Sequence, residues 1–147
     1  MGTIALGAHR IHRCLWQGSQ PKRGNDLREK GFRALVLAAE EFQPHPNKFP
    51  GVRVHHAPLD DHLEPLSVGE WKKIVSAANF ASSQVRRGRK TLVTCHAGIN
   101  RSGIITAMTL CMLTGCSGQE AVRQIKSRRP GALRNSSFVH HVESVMV

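Results

Sequence analysis

Residues 91–108 read TLVTCHAGINRSGIITAM, and this stretch decides the fold, because an apolar strand passes through a short loop directly into an apolar helix. Cys95 stands at the end of the predicted strand, and Arg101 begins the predicted helix. The backbone N–H groups of a loop that winds into a helix N-terminus can converge on one anion. The stretch therefore predicts a phosphate-binding loop. The residues between the cysteine and the arginine are His96, Ala97, Gly98, Ile99 and Asn100.

The side chains of this loop predict a nucleophile. The N–H dipoles, the helix terminus and the guanidinium of Arg101 favour the thiolate of Cys95 over the thiol. The planar fork of Arg101 can hold two phosphoryl oxygens, and Ser102 supplies a hydroxyl directly behind the sulfur. We expect Cys95, Arg101 and Ser102 to be catalytic, and residues 96–101 to bind the phosphoryl group of a substrate.

These motifs resemble those of a known family. C-x5-R-S between a strand and a helix resembles the signature of the cysteine-dependent protein tyrosine phosphatases, and AG-x-x-RSG in a short chain is similar to their dual-specificity branch. The resemblance extends from Ile11 to the C-terminus and includes R-R-P…N-x-x-F between Arg128 and Phe138. It implies hydrolysis of phosphotyrosine, and also of phosphoserine and phosphothreonine, in proteins. The reaction would pass through a phosphocysteine on Cys95, with no cofactor and no metal.

A carboxylic acid that protonates the leaving oxygen completes such a mechanism. The family carries this acid on a loop before the helix that leads to the catalytic strand, and Asp60 and Asp61 both match that position. Counted from Pro58, P-L-D-D-H resembles the P-x-[DE]-D of the tensin-homologue and regenerating-liver branches, whose acid is the second acidic residue. Counting back from residues 66–67 would select Asp60. We predict Asp61 as the general acid and base.

Two positions depart from the family pattern or suggest another activity. Thr94 stands where the family usually has a histidine that buttresses the loop. G-x-N-R, with Asn100, resembles the phosphate loop of RNA 5′-triphosphatases of the same fold, although those relatives generally lack a general acid. An RNA 5′-triphosphatase and a catalytically inactive phosphate-binding module are therefore the alternatives to a protein phosphatase.

Strands that alternate with helices predict one α/β domain over 1–147, with three layers, a mostly parallel central sheet and helices on its faces. This arrangement is the protein tyrosine phosphatase-like fold that the resemblance implies. The catalytic loop should lie at the carboxyl end of a strand. We expect strands at 9–19, 32–39, 52–57 and 91–95 and helices at 25–30, 67–85, 101–114, 117–129 and from about 138 to the C-terminus.

The composition restricts the partners. With 21 basic and 10 acidic residues the chain carries a formal charge of +11, which attracts polyanions such as phosphorylated proteins or peptides and, as the less favoured partner, RNA. The longest apolar run, 103–115, is too short for membrane insertion. Four cysteines without a zinc or disulfide pattern, and no recognisable signal peptide, predict a cytoplasmic or otherwise intracellular location. We expect a monomer. A protective disulfide between Cys14 and Cys95 would require the fold to bring them together.

Overall fold

The sheet is continuous and mostly parallel, as the sequence predicts. The structure, a computed structural model, describes residues 3–4 and 7–145, so the outermost positions of the predicted 1–147 domain lie outside it. Strands β3, β6, β4 and β5 pair in parallel, and β1 and β2 add to one edge in antiparallel fashion, giving the order β1-β2-β3-β6-β4-β5. The strands are β1 Thr3–Ile4, β2 Ala8–His12, β3 Leu15–Gly18, β4 Ala34–Ala39, β5 Arg53–Leu59 and β6 Thr91–Thr94.

Helices cover both faces of the sheet, which confirms the three-layer α/β fold. One face carries α2 to α5, and the other carries α1 and a loop with a short 3-10 helix, Pro46–Lys48. Across the described ranges no helix combines the length and the apolar character that a membrane crossing requires. The helices are α1 Asp26–Glu29, α2 Val68–Arg86, α3 Arg101–Thr114, α4 Gly118–Arg128 and α5 Ser136–Glu143.

Burial on both sides explains the near-continuous apolar run of β4. Val36 faces the core beneath α2 to α5, whereas Leu35 and Leu37 face the core beneath α1. Helix α3 is buried over most of its length. Its buried Thr106 and Thr109 hydroxyls donate to carbonyls one turn earlier, so they need no outside partner.

The stretch 9–19 is a hairpin, and the prediction of a single edge strand there is wrong. Strand β2 turns back as β3, and β3 then lies inside the sheet beside β6. The turn passes through Arg13, whose φ of 51° lies in the left-handed region. Turns of this kind usually contain glycine or asparagine, and the arginine gives no such signal in the sequence.

The hairpin also excludes the Cys14–Cys95 disulfide. The carbonyl of Cys14 accepts from the backbone N–H of Thr91, at the start of β6, while Cys95 follows the end of that strand. Four strand residues span roughly 13 Å, beyond the Cα separation of about 7 Å that a disulfide tolerates. The two cysteines lie at opposite ends of the sheet.

Side-chain caps fix the starts of α2 and α4. Ser67 and Glu70 form the reciprocal capping box that begins α2. At α4 the Ser117 hydroxyl accepts from the backbone N–H of Glu120, but the Glu120 carboxylate turns to Arg123 instead of reaching back. Helix α4 therefore has only half of a capping box.

Gly118 is the point where α4 passes closest to α5. A Cβ added there would lie 1.8 Å from the carbonyl oxygen of Val142, whereas a Cβ on Gly69, in the first turn of α2, would come no nearer than 3.9 Å to the Ser67 hydroxyl. We expect Gly118→Ala to destabilise the protein by about 1–3 kcal/mol through overpacking. Gly69→Ala should be neutral or slightly stabilising, because glycine weakens helices. Urea unfolding compares the two variants, and equal stabilities would contradict the packing of α4 on α5.

Candidate active site

The loop between β6 and α3 packs closely against the end of β3. Gly98 has a φ of 70°, and a Cβ there would lie 2.5 Å from the carbonyl carbon of Gly18. Only glycine satisfies both the left-handed backbone and this close approach. The loop is therefore packed against the carboxyl ends of the neighbouring strands β3 and β6.

The carbonyl groups of the loop are held away from the cleft by donors from other parts of the chain. Because a trans peptide is planar, each carbonyl that points backward sends the N–H of the next residue forward. Four successive carbonyls are held in this way, so the N–H groups of residues 97–100 face the opposite side and form an anion nest. Gln20 N donates to His96 O (3.1 Å), and Leu133 N donates to Ile99 O (3.0 Å). Arg129 donates to Ala97 O through Nη2 (3.2 Å) and to Gly98 O through Nε (2.7 Å), and Gln17 Nε2 also donates to Gly98 O (3.1 Å).

Arg129 is the brace behind this loop. Its buried guanidinium also donates to the carbonyl of Gly7 and meets the Nδ1 atom of His9 at 2.8 Å. Burial lowers the pKa of Arg129, and burial followed by the charge of Arg129 lowers the pKa of His9. A neutral His9 can accept from the arginine, which therefore links β2, the loop and the end of α4.

Cys95 is 4% exposed, and its sulfur lies 3.3 Å from the Ser102 hydroxyl oxygen. Gln17 donates to the same oxygen at 3.2 Å. The Cys95 thiol also donates to this oxygen, whereas the Ser102 hydroxyl can turn its own hydrogen toward the sulfur once the thiol is deprotonated. A charged sulfur at this position would thus receive a hydrogen bond, as would a leaving thiolate.

Arg101 is oriented by an acidic residue that the sequence did not single out. Its Nη1 and Nη2 atoms donate to the two carboxylate oxygens of Glu41 at 2.6 and 2.9 Å, and Nη1 also donates to the carbonyl of Leu59 at 3.1 Å. Its buried Nε has no partner in the described part of the chain. The hydrogen bonds that Arg101 donates to Glu41 raise the pKa of Arg101. The guanidinium is therefore fixed in plane with one edge available to an anion.

Asp61, but not Asp60, reaches the cleft. Its Oδ2 atom accepts from Asn100 Nδ2 at 2.9 Å, and its Oδ1 atom accepts from Asn135 Nδ2 at 2.7 Å. The carbonyl oxygen of the Asn100 side chain accepts in turn from the backbone N–H groups of residues 134 and 135, at 2.8 Å each. Asn100 therefore links the loop that carries Asp61, the acid loop, to the phosphate loop, and Asn135 links it to the start of α5.

The resulting cleft has a volume of about 160 Å³ and brings together the nucleophile, the arginine and the acid that the sequence predicts. Ser102 lies behind the sulfur, and Gly98 forms the rear of the loop. Thr94, in place of a buttressing histidine, donates to the carbonyl of Val36 and so ties β6 to β4. The cleft is lined by Asp61, Cys95, His96, Ala97, Ile99, Asn100 and Arg101.

The supporting residues are those that sequence reasoning missed. Gln17 and Glu41 carried no signal, because each meets the site only through the sheet topology. Arg129 and Asn135 belong to the R-R-P…N-x-x-F pattern. That pattern resembles the family's sequence but by itself assigns no role to either side chain. A basic residue just after a helix, followed by proline and a cap-forming asparagine, was the available signal.

Comparisons with known proteins point to one family. The family model "Dual specificity phosphatase, catalytic domain" matches residues 15–145. Human dual specificity protein phosphatase 8 is 32% identical over 139 residues, which are 92% of this chain and 21% of that protein. The chain thus spans about a fifth of the length of this curated relative.

Solved structures give the same picture of the fold. A mouse putative dual specificity phosphatase complexed with zinc tungstate is 25% identical with a TM-score of 0.79, covering 95% of this chain and 88% of that one. Tk-PTP in its active form has a TM-score of 0.79 at 24% identity, covering 97% and 100% of the two chains, and shows likeness of fold alone.

The pair formed by Glu41 and Arg101 predicts a pH dependence of stability. The hydrogen bonds from Arg101 lower the pKa of Glu41 from 4.5 to about 2. Because the folded-state pKa is the lower one, the stabilisation is complete above a pH of about 4.5 and is lost as the pH falls through about 2. The Glu41 side chain is 50% exposed, so we expect only about 1 kcal/mol at neutral pH.

Urea unfolding of Glu41→Gln from pH 7 downward measures this contribution. The deficit relative to the wild-type protein should be constant above pH 4.5 and shrink below it. Glu40→Gln is the matched control, since Glu40 is exposed and makes no side-chain hydrogen bond in the described structure. A deficit that grows on acidification would contradict the pairing.

Proposed function

The chain belongs to the dual specificity phosphatase family, and from this membership we propose that it hydrolyses phosphomonoesters in proteins through a phosphocysteine intermediate on Cys95. The proposed catalytic unit is the single domain 1–147, acting as a monomer on phosphorylated proteins or peptides. A thiol nucleophile must stay reduced, so the proposal includes an intracellular location. The observation that supports this proposal is that Cys95, Arg101 and Asp61 line one cleft. Behind that cleft the loop carbonyls accept hydrogen bonds from other parts of the chain.

In the first step the Cys95 thiolate attacks phosphorus, so that an S–P bond forms while the ester P–O bond breaks. Asp61, in its protonated form, gives its proton to the departing oxygen. Arg101 binds two phosphoryl oxygens through its free Nε edge and one Nη atom, held in plane by Glu41. The N–H nest of residues 97–100 takes the remaining oxygen charge.

In the second step water attacks the phosphocysteine and loses a proton to the Asp61 carboxylate. The S–P bond breaks, inorganic phosphate leaves, and the Ser102 hydroxyl stabilises the departing thiolate. Both asparagines that hold Asp61 donate to its oxygens, so they keep the carboxyl group in the cleft that Cys95 also lines. Because the mouse relative is complexed with zinc tungstate, we choose tungstate, a tetrahedral oxyanion, as a probe for the phosphate loop of this chain.

The shape of the cleft favours both phosphotyrosine and phosphothreonine. Asp61 is exposed and the cavity is small, so a short phosphothreonine can reach the sulfur as well as a long phosphotyrosine. We expect the tyrosine ester to react faster, because phenoxide is the better leaving group. The positive charge of the chain should make acidic peptides better substrates than basic ones.

The arrangement of Asn100 bears on the RNA 5′-triphosphatase alternative. Its side chain is occupied by Asp61 and by the backbone of residues 134 and 135, and it thereby serves a general acid. A triphosphatase has little use for such an acid, because a polyphosphate leaves readily. Hydrolysis of monoesters is therefore the better supported function.

The test is a substrate panel for the wild-type protein, Asp61→Asn and Asp60→Asn. A phosphotyrosine peptide, a phosphothreonine peptide and a 5′-triphosphorylated RNA are compared side by side. We expect both peptides to be hydrolysed, and Asp61→Asn to lower kcat by about 10²–10⁴ on poor leaving groups and much less on an activated aryl phosphate.

Asp60→Asn is the matched control and should change kcat little. Dependence on the leaving group in that variant alone would reverse the assignment of the acid. Release of only the γ-phosphate from RNA would instead establish the triphosphatase. No turnover of any substrate, with tungstate still bound, would leave an inactive phosphate-binding module.

A further inference from the structure

A second basic site lies outside the catalytic cleft, in a groove between β2 and α4. Its volume is about 480 Å³, within the range of about 300–1,000 Å³ that is usual for ligand sites. Four arginines line it, Arg10 and Arg13 from the β2 side and Arg123 and Arg128 from α4. We call this cavity the arginine groove. No sequence motif joins its two walls.

The positive charge of the arginine groove is largely uncompensated. The carboxylate of Glu120 is occupied by Arg123, and no carboxylate in the described ranges forms an ion pair with the other three arginines. His12, also in the groove, has its pKa lowered by burial first and then by the charges of Arg13 and Arg128. Like charges held together cost stability, and a bound anion would relieve that cost.

The backbone of Arg13 points to the same conclusion. Its φ of 51° lies in the left-handed region, and this backbone conformation costs on the order of 1 kcal/mol for residues other than glycine and asparagine. The guanidinium that this conformation presents lines the groove. Strain at a residue that faces an uncompensated charge cluster indicates a binding role.

The side chains that line the groove favour an acidic peptide as the ligand. Arginine forks match carboxylates and phosphates in a bidentate manner, and the cations of this groove are arginines without lysine. Among the described residues that line it there is no phenylalanine, tyrosine or tryptophan, the side chains on which the bases of single-stranded nucleic acid mainly stack. The Gln124 amide and the Ser127 hydroxyl can instead bond a peptide backbone.

The end of α4 links the arginine groove to the catalytic loop. Arg128 precedes Arg129, whose guanidinium holds the Gly98 carbonyl at the rear of that loop. From there β2 runs toward the opposite end of the sheet, since it is antiparallel to β3. A protein whose phosphorylated residue enters the cleft can lay a neighbouring segment along this side of the domain.

We propose that the arginine groove is a docking site for an acidic segment of the protein substrate, separate from the phosphorylated residue. That the segment belongs to the substrate rests on the proposed phosphatase function, whereas binding of an acidic peptide to the groove does not. The two parts can therefore fail separately in the test.

The binding test uses a fluorescein-labelled, unphosphorylated peptide of aspartate and glutamate, with vanadate filling the catalytic loop. Arg10→Gln/Arg128→Gln should weaken peptide binding roughly tenfold, the effect of two exposed charge contacts. Arg53→Gln/Arg87→Gln removes the same charge from exposed positions elsewhere and should change binding less than about twofold. Equal losses in the two double variants would overturn the site, as would failure of the wild-type protein to bind the peptide while vanadate fills the loop.

A further arm uses Arg13→Asn, since asparagine tolerates the left-handed backbone. This variant should bind the peptide more weakly and yet melt a few degrees higher, because strain and repulsion are both removed. Loss of binding together with a lower Tm would mean damage to the hairpin and would overturn the role of Arg13. Tighter binding of single-stranded RNA than of the peptide would make the groove a nucleic-acid surface instead.

The activity arm separates docking from catalysis. The Arg10/Arg128 double variant should keep wild-type kcat on a small aryl phosphate, but lose kcat/KM on a phosphopeptide that carries a distant acidic tail. An unchanged kcat/KM with weakened peptide binding would overturn the substrate assignment. If no substrate is hydrolysed at all, the proposed phosphatase function is wrong. The binding arms still show whether the arginine groove binds an acidic peptide.

Discussion

The active site depends on the hydrogen bonds that pull the carbonyls of the phosphate loop backward. Gln17 and Arg129 converge on the Gly98 carbonyl, and together with three further bonds they turn the opposite N–H groups toward the cleft. None of these donors belongs to the loop. The sheet order that puts β3 beside β6, and the helix end that delivers Arg129, are therefore requirements of the site as much as of the fold.

The two charged groups of the cleft are likewise held by hydrogen bonds to other residues. Arg101 is fixed by Glu41, and Asp61 is fixed by Asn100 and Asn135, so the protein itself sets the orientation of both side chains. In the proposed mechanism this orientation exists before a substrate arrives. Asn100 is the clearest case, since it belongs to the phosphate loop and holds the acid loop as well. Its side chain makes the position of the acid depend on the position of the loop.

The local parts of this account could be predicted from the sequence, because they rest on neighbouring residues. The strand, loop and helix around Cys95 follow from apolar patterning. The place before α2 fits both Asp60 and Asp61, and the family resemblance selects Asp61. Glu41 and Gln17 could not be found, since Glu41 lies 60 residues and Gln17 lies 81 residues from the groups they hold. The β2–β3 hairpin was missed for a different reason: its turn uses a strained arginine where a glycine or asparagine would have marked it.

The central claim is that Cys95 is the covalent nucleophile. The most direct measurement is mass spectrometry of the enzyme after acid quenching, within the first turnover of an aryl phosphate. The account predicts a phosphoryl group on the peptide that contains Cys95, absent from Cys95→Ser, while that variant remains folded and still binds tungstate. Turnover by Cys95→Ser, or a phosphoryl group on another residue, would contradict it.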